Sequence, residues 1–385
     1  MQAVILAAGE GTRLRPLTLS RPKALVPVAN TPILKYVIDA LLANGIREII
    51  VVVGYRKEHV IRYLNDHDLP VRVVYQENQL GTAHALRCAE PYLQDRFLLL
   101  AGDNYIDAAS IAQIKNERNA ILVTDHPSPT DFGVVIARDG LVREIREKPT
   151  TTDGKIVSTG IYSLDRSFFR YAVGPEVPDA LQAMILDGVR VTPVRAVDWL
   201  DAVNPWDLLE MNSRLLARIE TQRAGTISRS SKLYGLIRIG KGCEIGPNTY
   251  IHGPVMIGEG CRIGPNCVIL PNTSIGARVT IEPLSYVAHS LVMDDVVIGS
   301  HSRVIDAVIG EGCRLADHTA TWTSEAIFER EKEGFQKASF GAVLGDRVRS
   351  APYTILKNCI VGNNASIQSG NTTVTGIIPD DAVVI

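Results

Sequence analysis

Apolar positions along the chain follow one rhythm up to about residue 200 and another from about residue 235. In the first stretch, short apolar runs alternate with segments of helical spacing. Residues 4–7 form an apolar run that ends in a glycine-rich turn, and 32–44 carry Ile33, Val37, Leu41 and Leu42 near helical spacing before Gly45. The run 49–53 is continuous and β-branched, which predicts a strand covered on both faces. Segments 58–64, 71–75, 82–93 and 97–101 continue the alternation. This order predicts an α/β, Rossmann-like domain around a largely parallel sheet. After Asp103 the pattern loosens into 120–124, 132–137 and 159–164, predicting strands of a mixed sheet region, and 205–222 reads as a long bridging helix.

Beyond residue 235, Ile-Gly pairs begin at Ile239, Ile245, Ile257, Ile263, Ile275, Ile298 and Ile309, and the first five are six or twelve residues apart. Ile251, Ile269 and Ile281 fill the same frame. A hexapeptide repeat of this kind predicts a left-handed parallel β-helix. Each unit makes one flat side, three sides close a coil, the aliphatic residue points inward and glycine relieves crowding at the turn. The frame slips by one residue before Ile298 and again before Ile309. It breaks near 317–338, a polar and charged stretch, so 319–339 is predicted to be a loop extruded from the coil, and it resumes at Leu344-Gly345 and Val361-Gly362. The predicted domains are 1–223, including the bridging helix, and 224–385.

Composition narrows the choice of partners. A chain of 385 residues exceeds one ordinary core. Its 46% hydrophobic and 21% charged residues are ordinary for a soluble globular protein, and a net charge of −2 exerts no pull on nucleic acid or anionic membrane. Its longest apolar runs are too short to span a bilayer. The chain opens directly on the strand-like run 3–7, with no basic stretch ahead of an apolar segment, which predicts a cytoplasmic protein. The six cysteines include no Cys-x-x-Cys pair, which disfavours a zinc site or a disulfide framework. Cys243, Cys261, Cys267 and Cys313 each stand four residues after a frame aliphatic and are predicted as small inward-facing hydrophobes, Cys243 and Cys261 stacking one coil apart.

The richest chemistry lies in Leu6-Ala7-Ala8-Gly9-Glu10-Gly11-Thr12-Arg13-Leu14-Arg15-Pro16, followed by Pro22-Lys23-Ala24-Leu25. A strand runs into a turn whose glycines let backbone N–H groups approach an anion. Arg13 and Lys23 place two cations beside it, an arrangement suited to a triphosphate. A dinucleotide fingerprint needs a third glycine where Leu14 stands, and a P-loop needs Gly-Lys-Ser/Thr, so neither alternative is satisfied.

This segment resembles the signature of the sugar-1-phosphate nucleotidylyltransferases. Further landmarks of that family follow in order: Gln76 with Gln79-Leu80-Gly81-Thr82-Ala83, Gly102-Asp103-Asn104, Phe132-Gly133-Val134, Glu147-Lys148-Pro149, Thr159-Gly160 and Trp199-Leu200-Asp201. The resemblance covers nearly the whole chain. It implies a nucleotide site at Leu6, Ala8, Gly9, Gly11, Thr12, Gln76, Gly81 and Thr82, with Gln76 and the Gly81-Thr82 turn on the base edge. It implies Mg²⁺ held by Asp103 and Asp201, and catalytic charge neutralisation by Arg13, Lys23 and Lys148. It assigns the sugar to Asn104, Gly133, Glu147, Thr159 and Gly160. Taken singly, Asp103 also reads as a cap for a helix near 108–115, Asp201 as a cap for the bridging helix, and Lys148 as a surface lysine.

The substrates implied are a nucleoside triphosphate, UTP or dTTP, and glucose or N-acetylglucosamine 1-phosphate. Thr82 favours UTP, whereas Gly102-Asp103-Asn104 and Ser158 lean the other way. Bifunctional enzymes of this layout also N-acetylate glucosamine 1-phosphate from acetyl-CoA on the coil. Archaeal-type members place His, two residues and Tyr before an Ile-Gly pair. Here Ser300-His301-Ser302-Arg303 is offset and lacks Tyr, leaving His289, His301 and His318 as candidate bases and Lys332 and Lys337 as candidate phosphate contacts. A catalytically lapsed regulatory subunit is a third reading. Flat coil sides suggest a homo-oligomer, a trimer or a dimer of trimers.

Overall fold

The computed structural model describes residues 1–330 and 334–385. The chain divides into two compact units. The first comprises Met1–Gly11, Arg21–Val26 and Pro32–Asp201, and the second Thr12–Ser20, Pro27–Thr31 and Ala202–Ile385.

In the first unit, β1 (Gln2–Ala7), α1 (Ile33–Ala43), β2 (Glu48–Val53), α2 (Lys57–Asp66), β3 (Val71–Tyr75), α3 (Thr82–Ala89) and β4 (Arg96–Ala101) realise the predicted alternation. β4-β1-β2-β3 pair in parallel in that order. Val51 to Val53 in β2 are fully buried, as a strand covered on both faces requires. α1 buries Ile33, Leu34, Val37, Ile38 and Leu41 along one stripe. The short β5 (Asn104–Ile106) and α4 (Ala108–Ile114) follow. The sheet then turns mixed through β6 (Ala120–Asp125), β7 (Gly133–Arg138), β8 (Leu141–Glu147) and β9 (Ile156–Asp165). β9 runs antiparallel to β4, β6 and β7, extending the order to β8-β7-β9-β4-β1-β2-β3. α5 (Val177–Leu186) and β10 (Thr192–Arg195) lead to β11 (Trp199–Asp201), which pairs antiparallel with β5 outside the main sheet.

In the second unit, stacked parallel strands close a three-sided β-helix. Ile239, Ile257 and Ile275 lie in register one above the other, as do Ile245, Ile263 and Ile281, all essentially without exposure. Their glycine neighbours are required by the close approach of successive coils: a Cβ on Gly258 would stand 2.6 Å from the backbone of Gly276. The register shift is real. Ile275 pairs with Val292 and Val292 with Ile309, so these coils are seventeen residues long where the earlier ones are eighteen. Cys243, Cys261, Cys267 and Cys313 are buried, and each thiol donates to a backbone carbonyl of the next coil, Cys243 to Gly258 at 2.8 Å and Cys261 to Gly276 at 2.9 Å.

Two details depart from the sequence reading. The segment expected as an extruded loop is an antiparallel hairpin, Ser324–Arg330 against Gly334–Phe340, while Ala320–Trp322 remains a coil strand. Phe328 and Phe340 stack with Trp206 at ring distances of 5.5 and 5.1 Å, and this burial gives a polar segment its order. The bridging helix is shorter than 205–222. α6 (Asp207–Leu216) stops where its buried face of Leu208, Leu209, Met211, Leu215 and Leu216 ends, and Gln222–Arg223 already belongs to the first coil. Within this unit the segment Thr12–Ser20 is bonded to the coil, Ser20 donating to Asp346 at 2.5 Å and the Asn363 amide to the Pro16 carbonyl at 3.1 Å.

Candidate active site

The carboxyl ends of β1, β2 and β4 meet at Ala8, Gly54 and Gly102, where a parallel sheet places ligands. Gly102 N–H bonds Leu6 carbonyl at 2.8 Å and Tyr55 N–H bonds Ala8 carbonyl at 3.0 Å, tying the three exits together. A Cβ added to Gly9 would meet nothing within 4 Å, so the turn is open just where a phosphate is expected, and Gly11 takes φ +67°. Leu6 is half-buried and Ala8 buried beneath this opening. Thr12 and Arg13 belong to the second unit, in a single turn of 3-10 helix, Thr12–Leu14, so the first unit's cluster is built without them.

Lys23 is the centre of that cluster. Its ammonium lies 3.0 Å from Asp103 and 2.9 Å from Asp201. Asp103 follows β4, and Asp201 ends β11, opposite Asn104 in the β5 ladder. Only 12% of the Lys23 side chain is exposed. Burial works against its charge, but Asp103 and Asp201 outweigh that and hold its pKa above the usual lysine value. The capping readings of the two aspartates fail. Asp107 caps α4 by accepting from Ala109 and Ser110, and near α6 it is Asp207 that accepts from the Asn204 N–H.

A strip of candidate sugar contacts adjoins this cluster. The β9 register is broken between Ser158 and Tyr162 by a bulge centred on Gly160, at φ +74°. The bulge presents the Thr159 carbonyl to the Asn104 amide at 3.1 Å, while the Thr159 hydroxyl is used inside the core, donating to Leu122 at 2.9 Å. Asn104 is 5% exposed, and its Oδ1 has no hydrogen-bond partner among the described residues. An orphaned buried acceptor of this kind calls for a donor from a ligand or water. Gly133 pairs with Glu147, and a Cβ there would come within 2.8 Å of the Glu147 carboxylate. Lys148 is exposed, as a surface lysine would be, yet it takes φ +41° ahead of Pro149 and its N–H bonds Phe132 at 3.1 Å. Strained backbone of this sort is concentrated at functional sites.

The third cluster surrounds the start of α3. Gln76 is buried, and its amide nitrogen contacts the Gly81 carbonyl at 3.1 Å and His84 Nδ1 at 2.9 Å. Gly81 takes φ +107°, and a Cβ there would stand 2.4 Å from the Pro175 carbonyl. The space beside it is thus filled by the protein's own backbone. Thr82 is likewise engaged, its hydroxyl donating to Glu176 at 2.7 Å and accepting from Val177 N–H at 2.9 Å. Sequence reasoning did not find Glu176. It stands 94 residues from Thr82, in a loop-like context between prolines.

Among the described residues, no three or more His, Cys, Asp and Glu side chains gather as a metal cage. Asp103 and Asp201 nevertheless converge on one cation, the Lys23 ammonium, and their carboxylate oxygens are donors of the kind a hard divalent ion would take. On the coil, His289 Nδ1 lies 2.6 Å from Asp306, which also accepts from the Thr323 hydroxyl at 2.6 Å. His301 and His318 stack on one another at 4.9 Å, and His318 stacks on Tyr353 at 4.4 Å. Lys337 pairs with Glu325 at 2.7 Å, and Lys332 lies outside the described residues. No described helix is long and apolar enough to cross a membrane.

The sequence matches the nucleotidyl transferase family over residues 2–218 and the GMPPB C-terminal domain over residues 251–378. The bifunctional protein GlmU of Methanococcus maripaludis strain C5 is 35% identical, the match covering 100% of this chain and 99% of the relative. The low-salt glycan biosynthesis nucleotidyltransferase Agl11 of Haloferax volcanii is 34% identical across 82% of this chain and 94% of its own. The UTP–glucose-1-phosphate uridylyltransferase AglF of the same organism is 36% identical across 56% of this chain and 96% of its own.

Proposed function

Because the chain belongs to the nucleotidyl transferase family, we propose that it joins UTP or dTTP to glucose or N-acetylglucosamine 1-phosphate, releasing pyrophosphate. The observation that carries this reading is the Lys23 ammonium clasped by Asp103 and Asp201 beside an open glycine turn. A sugar-phosphate oxygen attacks the α-phosphorus in line, with no covalent enzyme intermediate, so the barrier is largely the repulsion of two anions. Lys23 and Lys148 spread that charge, and backbone at Leu6, Ala8, Gly9 and Gly11 lines the phosphates. Asp103 and Asp201 would hold Mg²⁺, which when bound neutralises part of the phosphate charge. Gln76, with Gly81 and Thr82, faces the base. Asn104 Oδ1, Glu147 and the backbone at Gly133, Thr159 and Gly160 receive the sugar hydroxyls. A homo-oligomer built through flat coil sides, a trimer or a dimer of trimers, accords with the β-helix.

The decisive test is a matrix of nucleoside triphosphates against hexose 1-phosphates, scored by pyrophosphate with and without Mg²⁺. Asp103→Ala is expected to lower turnover at least 10³-fold with an unchanged circular dichroism spectrum. Wild-type rates in that variant would remove Asp103 from the metal site.

A second activity on the coil, N-acetylation of glucosamine 1-phosphate by acetyl-CoA, is favoured by one observation. Asp306 orients His289 through Nδ1, leaving Nε2 to act as a base, and the bond from His289 holds the Asp306 carboxyl below its usual range. Thiol release from acetyl-CoA, dependent on glucosamine 1-phosphate and lost in His289→Ala, is the expected result. No released thiol from the wild-type protein excludes this second activity.

A further inference from the structure

We infer that Glu176 is the positioning residue for base recognition, an inference that rests on the nucleotidyl-transfer reading above. The first turn of an α-helix leaves backbone N–H groups without partners, which makes it a ready anion site. At α3 the first two of those donors are already taken. Thr82 N–H reaches the Glu176 carboxylate at 3.3 Å, the Thr82 hydroxyl reaches the same oxygen at 2.7 Å, and Ala83 N–H reaches the Pro175 carbonyl at 2.7 Å. Val177 N–H returns a bond to the Thr82 hydroxyl. The helix start is closed by a carboxylate of the same chain, so phosphate is directed elsewhere and the turn at Gly81 is pinned.

That turn sets the orientation of Gln76. A carbonyl can only accept, so the group facing Gly81 must be the Gln76 amide nitrogen, which also donates to His84 Nδ1. Gln76 Oε1 is thereby left as the acceptor of this amide. An acceptor at that position matches the imide N–H shared by uracil and thymine and mismatches the bare ring nitrogen of cytosine. Glu176 touches no substrate in this scheme. It acts through Thr82 and Gly81 on Gln76.

The test uses the full chain with UTP, dTTP and CTP. Glu176→Ala is expected to raise KM for the preferred triphosphate about tenfold or more, with kcat changed less than threefold, and to narrow discrimination against CTP. Glu176→Gln, whose side-chain oxygen still accepts from the Thr82 hydroxyl, is expected to recover most of both. Should Glu176→Ala fail to fold, the near-isosteric Thr82→Val removes the same hydroxyl bond and is expected to narrow discrimination likewise. Unchanged KM and base preference in Glu176→Ala, equal losses in the alanine and glutamine variants, or unchanged base preference in Thr82→Val overturns the inference. A wild-type protein that turns over no triphosphate defeats the underlying nucleotidyl-transfer reading instead.

Discussion

Lys23→Met is expected to lower kcat/KM by about 10²- to 10³-fold, equivalent to about 3–4 kcal/mol of barrier, and to leave a protein that Mg²⁺ alone stabilises against heat. The kinetic part follows from removing a cation where two phosphates must approach. The stability part follows from the partners left behind. Breaking a buried ion pair from one side costs about 3–5 kcal/mol, but Asp103 is 39% exposed, so solvent screening reduces the figure here to about 1–3 kcal/mol. In the variant the two carboxylates no longer share an ammonium, and a divalent cation meets no competitor. Steady-state kinetics and thermal unfolding with and without Mg²⁺ are the measurements. A variant with wild-type kcat/KM would take Lys23 out of the reacting cluster. The sign of the pH effect is also set. The folded pKa of Lys23 is raised, so its stabilising contribution is complete below the unfolded value of about 10.4 and is lost only as pH rises through the folded one. No change attributable to this lysine is expected between pH 6 and about 9.

Gly81→Ala should be the most damaging single-methyl addition in the first unit. The new Cβ would stand 2.4 Å from the Pro175 carbonyl oxygen and 2.9 Å from its carbon, backbone atoms that no rotamer change can move. Its φ of +107° adds strain for any L side chain. Strain and overpacking together correspond to about 2–4 kcal/mol of lost stability, accompanied by a raised KM for the triphosphate. Gly9→Ala is the control: nothing lies within 4 Å of its added Cβ, so unfolding should be unaffected and any kinetic loss reports a ligand that needs the space. Denaturant unfolding of both variants checks the pair. Equal midpoints for Gly81→Ala and the wild type would show that the segment 175–177 is not held as described.

The difference between these glycines was not legible in the chain. Each sits in a turn, Gly9 after β1 and Gly81 before α3, and only the crossing of a segment 94 residues away makes one indispensable. Periodicity did carry the sheet strands, the coil frame and the inward cysteines, because each depends on burial repeated at fixed spacing. The approach of Asp103 and Asp201 to Lys23 depends on β5 and β11 pairing across a long interval, which no local pattern encodes, and only the family resemblance joined them beforehand. The hairpin escaped for a similar reason. Its order comes from Phe328 and Phe340 finding Trp206, while its own letters read as solvent-facing loop. At Thr159 the residue type alone did not say which of its groups is available: its hydroxyl serves the core, and its carbonyl meets Asn104.

The hairpin leaves and rejoins the rod on the one side where coils are a residue short. Ala307–Ile309 pairs directly with Ala342–Leu344, and Ala320–Trp322 with the start of Ile355–Val361, as if nothing intervened. The axial ladder is therefore indifferent to what is threaded out at that edge, and the entropic toll of a longer excursion grows only logarithmically. Evolution has there a socket into which new recognition elements can be fitted, exchanged or discarded without recasting the column that carries them.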